Sequence, residues 1–168
     1  QSSHKESLLF ISQALETVEI DNYSPDPKLI KHYQKYVKDA SLPIFDGFDN
    51  ILDSTYYLNP IVMALITPLF KKLAQNERSV FSFIFSPENL SLTSYIEGNN
   101  NKVYKLHNLF DYINSNLSFA IANTNLANVW AQVESTLIKF KDFSEIELNV
   151  FKSVCLLDMF QESLHLDS

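Results

Sequence analysis

Among the thirteen Lys and Arg residues of this chain a single one, Arg78, is arginine. A guanidinium forks bidentately onto a carboxylate or a phosphate, whereas an ammonium acts as a point charge. Its setting is the polar block Gln75-Asn76-Glu77-Arg78-Ser79, placed between a strongly apolar stretch and the aromatic run Phe81, Phe83 and Phe85. Here residue type and setting together suggest recognition of an anionic group or of a neighbouring surface. The plainer role for Arg78 is to tie helix ends together through carbonyls or an acidic side chain, and composition by itself favours it.

Other residues with chemical potential are scattered. His4, His32, His107 and His165 lie far apart, and no pair has metal-ligand spacing. Cys155 is alone, so no internal disulfide can form, and its neighbours Val154, Leu156 and Leu157 mark it as a small buried hydrophobe. Asp46, Asp49 and Asp53 crowd one link, where carboxylates are ordinarily solvated or capping. With only Gly47 and Gly98 there is no phosphate-cradling loop; a nucleophile elbow and an HExxH pair are missing too. The expectation is a chain with no catalytic residue, no metal site and no cofactor of its own.

The bulk values fit that picture. The chain has 168 residues, 46% hydrophobic and 20% charged, ordinary proportions for a packed core. Its net charge of −7 disfavours nucleic acid and anionic lipid as partners. The longest apolar stretch, 61–70, is too short to span a bilayer and runs into Lys71 and Lys72. A single cysteine and a polar start without Met lead us to expect a soluble, cytoplasmic segment of a larger protein.

The elements that must position these residues read as helices. Apolar spacing gives a first helix over 5–20. Asp26 and Pro27 form an N-cap and first-turn proline for a second helix to about 40, with Ile30, Tyr33 and Val37 inward. Lys28, Lys31, Lys35 and Lys38 make its other face basic, an ordinary solvated face before a nucleic-acid contact. Residues 41–50 form a link, pinned by Phe45 and Phe48, and a short helical turn follows over 51–57. Asn59-Pro60 opens a helix to about 75 that is apolar nearly all round, the pattern of a central helix, with Pro68 kinking it. Further helices are read over 77–85, from Ser86-Pro87-Glu88 to about 97, over 106–116, over 117–140 as one long helix, and from the capping box Ser144-x-x-Glu147 through 160. Residues 102–106 are the one weak strand candidate. The fold class is therefore all-α, an irregular bundle of about eight helices. It is one helical region over 1–168, open to a subdivision into 1–57 and 58–168.

Leu58-Asn59-Pro60-Ile61, the block Gln75-Asn76-Glu77-Arg78-Ser79-Val80-Phe81-Ser82-Phe83, the stretch Leu106-His107-Asn108-Leu109-Phe110-Asp111-Tyr112-Ile113 and the apolar helix 150–160 follow one another in order. In that order they resemble the helical region downstream of the P-loop module in large bacterial ATP-binding proteins of the STAND and AAA-like type. The polar block is the specific part of the match. Asn59 stands where the family pattern has His before Pro. The resemblance implies a non-catalytic accessory domain that relays nucleotide state to downstream sensing or partner-binding domains. It also implies ATP and Mg for the parent protein, neighbouring domains of the same polypeptide as partners, and Arg78 and Asn59 as nucleotide-facing residues. Gln75, Asn76, Glu77, Arg78 and Ser79 would form the interaction block. A protein-interaction scaffold with no nucleotide linkage is the alternative.

Overall fold

The computed structural model describes residues 4–17, 26–39, 52, 55, 57–73, 77–98 and 103–165 of the chain. Among them the secondary structure is helical, with one isolated parallel bridge between Leu58 and Tyr104. In chain order the helices are α1 His4–Glu16, α2 Pro27–Asp39, α3 Pro60–Lys72, α4 Glu77–Phe85, α5 Leu92–Gly98, α6 Leu106–Asn116, α7 Ser118–Ala122, α8 Ala127–Lys139 and α9 Glu145–His165.

The apolar helix α3 is the hub. From Pro60 through Ile66 every residue is buried, as are Leu69 and Phe70. A helix apolar on all sides must be covered on all sides, and α1, α2, α4, α6 and α9 each pack against α3. Its start is fixed by the Asn59 side chain, whose Oδ1 accepts from the Ile61 amide at 3.1 Å. Pro60 at the first helical position has no amide to satisfy. The chain leading into α3 is held from outside as well. The Tyr104 amide donates to the Tyr57 carbonyl at 2.6 Å and the Asn59 amide to the Tyr104 carbonyl at 2.9 Å. The weak strand candidate thus reduces to this bridge. Pro68 stands inside α3, which continues through it to Lys72, short of the expected 75.

Local cap chemistry sets other starts. The Lys28 amide donates to Asp26 Oδ1 at 2.9 Å, opening α2 with Ile30, Tyr33 and Val37 inward and the four lysines exposed. The capping box at α9 is reciprocal: the Ser144 amide reaches Glu147 Oε2 at 2.9 Å, and the Glu147 amide reaches Ser144 Oγ at 3.3 Å. That helix runs five residues past the expected end at 160, to His165. At the other end of the chain α1 stops at Glu16, with Thr17 turned back onto the Ala14 carbonyl.

Two expected helices are corrected. Ser86-Pro87-Glu88 does not start one, although Ser86 Oγ accepts from the Glu88 amide at 3.3 Å and donates to its carboxylate at 3.0 Å. Leu90 takes a left-handed φ of 64°, which stops propagation, and α5 begins only at Leu92. The hydroxyls of Ser91 and Thr93 instead donate to the carbonyls of Ser86 and Ile84, capping the end of α4 with the start of α5. The long helix over 117–140 is two, α7 and α8. Between them Thr124 Oγ1 donates to the Ile121 carbonyl at 2.8 Å and accepts from the Leu126 amide at 3.2 Å, so side-chain bonds displace the helical ladder.

The core is one cluster running from Leu8 to Phe160. Its aromatic centre is Phe83 of α4, which meets the rings of Phe70, Tyr104 and Tyr112 at 6.0, 5.4 and 5.0 Å. The last two contacts are edge-on, the favoured aromatic geometry. The links 41–50, with Phe45 and Phe48, and most of 51–57 lie outside the described residues; Leu52 and Thr55 are helical and buried.

Candidate functional site

Of the polar block, Gln75 and Asn76 lie outside the described residues. Glu77, Arg78 and Ser79 open α4 as backbone, and their side chains lie outside the described set. Asn59 caps the opposite end of α3, a helix about 20 Å long at 1.5 Å per residue. The aromatic run beyond Arg78 splits over two faces of α4. Phe83 is buried, while Phe81 and Phe85 pair at 4.6 Å, with Phe81 also meeting Phe10 of α1 at 6.3 Å.

Around Asn59 the packing of α2, α6 and α9 on and beside α3 leaves an open cleft of about 280 Å³. His32 and Tyr36 of α2, Asn59, Lys105 and His107 at the start of α6, and Ser153 of α9 line it. The Asn59 carboxamide oxygen is spent on the helix cap, which leaves its Nδ2 as a donor. Burial pushes His107 below the ordinary histidine range; Asp111 opposes this, and Lys105 and Lys152 reinforce it. The neutral ring is thereby favoured, and it has one N–H to give. Asp111 is itself held by Lys152, whose Nζ stands 2.8 Å from Oδ1. Sequence reading missed this grouping of His32, Lys105 and His107. They are separated along the chain, and only the flanking of α3 by α2 and α6 brings them together.

A second feature lies on α9. One side of this helix is fixed to the core through Leu156, Met159 and Phe160, and the Lys72 ammonium sits 5.9 Å from the Phe160 ring centroid. The other side shows Ile146, Val150 and Val154 to solvent, 75%, 57% and 58% exposed. The four-residue spacing lines them up along one stripe. Phe140 and Phe143 stack at 4.9 Å in the link that precedes α9, and Ile138 of α8 is exposed beside them in sequence. The signal was present in the sequence as a helix apolar on two sides, but which side stays open is decided by packing.

Cys155 is half-buried against the core, and burial, then Asp158, pushes its thiol up, away from the reactive thiolate. Among the described residues no group of three or more His, Cys, Asp or Glu side chains could hold a metal ion. No helix among them is long and apolar enough to cross a membrane. Asp46, Asp49 and Asp53 lie outside the described residues. Comparisons with protein-family models, with curated proteins and with solved structures give no significant match for this chain.

Proposed function

We propose that this chain is a non-catalytic helical docking module, an accessory domain of a bacterial P-loop ATPase that relays nucleotide state to neighbouring domains of the same polypeptide. The observation that carries the docking part is the exposed stripe of Ile146, Val150 and Val154 on α9. Fully burying one such side chain is worth about 1.5–3 kcal/mol, so leaving three in a row in water is a standing cost that a partner surface removes. The helix is also suited to transmit. Its inner side is packed on α3 and α6, so a force on the stripe reaches the hub directly. A ligand shifts such an equilibrium only through contacts that differ between states, and a stripe covered in one state and open in another supplies that difference. The nucleotide part rests on the resemblance of the Gln75–Phe83 block and of the segments around it.

The second reading, a protein-interaction scaffold without nucleotide linkage, draws on the same stripe. The pair of substitutions Val150→Asp and Val154→Asp tests what both share. Because both positions face solvent, the double variant keeps the wild-type circular dichroism and melting temperature while association with the remainder of the polypeptide is lost. Unchanged association would remove the stripe from the account. Dependence of that association on ATP and Mg separates the relay from the scaffold.

A further inference from the structure

We infer that the cleft at Asn59 binds a small phosphate-bearing ligand, through donors that α2, α3 and α6 bring to one place. In a chain of net charge −7 the described residues lining this cleft include Lys105, His32 and His107 and no carboxylate. Two acids act on His107 from outside the lining: Asp111, already paired with Lys152, and, more weakly, Glu145 at the start of α9. The lining is a surface of donors. The Lys105 ammonium gives three and Asn59 Nδ2 two, the imidazoles and the Tyr36 hydroxyl add one each, and Ser153 Oγ is engaged with the Asn149 carbonyl at 2.7 Å. The first-turn amides of α6 at Leu106 and His107 precede any helical acceptor and add to the same potential. A phosphate dianion, with three oxygens that each accept twice, matches many donors converging from several elements better than a carboxylate does. Tyr36 and the His32 ring supply planar faces at the rim for the remainder of such a ligand. The site shares no exposed stripe residue with the docking face, so each can fail alone.

The test uses the whole chain and inorganic phosphate, with acetate at matched ionic strength beside it. Titration followed by amide NMR is expected to give saturable shifts at Asn59, Leu106 and His107, with acetate giving none. Lys105 and His32 are exposed, so their replacement leaves the fold in place. The double variant Lys105→Ala, His32→Ala is expected to weaken phosphate at least about tenfold, the loss of a charged hydrogen bond. Lys38→Ala, on the outer side of α2, is expected to change affinity less than about twofold, as a distant screened charge does. Three results would overturn the inference: no saturable shift at these amides, acetate matching phosphate, or Lys38→Ala weakening binding as much as the cleft variant.

Discussion

Tyr104 is fully buried, yet its hydroxyl is fully employed. It donates to the Leu90 carbonyl at 2.8 Å and lies 3.1 Å from the Asn108 carbonyl, while its backbone makes the bridge to Tyr57 and Asn59. Tyr104→Phe keeps the ring contacts but strands the Leu90 carbonyl, and should lower the unfolding free energy by about 1–3 kcal/mol in chemical denaturation. Burial also raises its pKa well above the ordinary tyrosine value of 10.0, and burial with Glu88 raises that of Tyr112. Above pH 10 the unfolded chain loses these protons and the folded one keeps them. The contribution of these two tyrosines is therefore complete below pH 10 and falls as pH rises beyond it. Tyr112→Phe should flatten that fall. At the acid side His107 has the opposite sign. Its folded pKa is lowered from 6.5, chiefly by burial, so below pH 6.5 the unfolded state binds its proton first and stability drops. His107→Gln should remove that component, seen as a difference in melting temperature between the proteins that narrows as pH falls. Arg78, the most conspicuous residue of the sequence, belongs to this scale too, but its role is a proposal that the resemblance alone supports.

At the scale of elements, what could be read in advance was what is local. Asp26-Pro27, Asn59-Pro60 and the Ser144-x-x-Glu147 box each make the cap hydrogen bonds that their types imply, because a cap involves residues two or three apart. Asn59→Ala should accordingly cost about 0.5–2 kcal/mol and Asn59→Asp much less, in the same denaturation assay. Ser86-Pro87-Glu88 shows where local reading ends. Its side-chain bonds form as a cap would make them, but Glu88 is also bound by the Tyr112 hydroxyl at 3.0 Å and Leu90 by Tyr104, so distant residues settle the turn. The break at Thr124 shows in the sequence only as a slip of phase: Ile121 and Leu126, both buried, are five residues apart and would stand about 140° apart on one continuous helix. The cleft and the stripe were harder still. One exists only because α2 and α6 flank α3, and the other only because α9 spends its second apolar side on the core.

For the whole molecule the central helix was legible because Ile61 to Phe70 is apolar on every side, and such a helix has only one place to go. That arrangement gives α9 a packed inner side and an open outer side, the contrast on which the proposed docking role rests. The proposed docking role sets this chain beside further domains of one polypeptide, so its most direct measurement is hydrogen exchange of α8 and α9 in that polypeptide, in ATP–Mg and in ADP–Mg. The account predicts that the amides around Ile146, Val150 and Val154 are more protected in one nucleotide state than in the other, and that Val150→Asp with Val154→Asp abolishes the difference. Equal exchange in both states, with the stripe open as in the isolated chain, would contradict it.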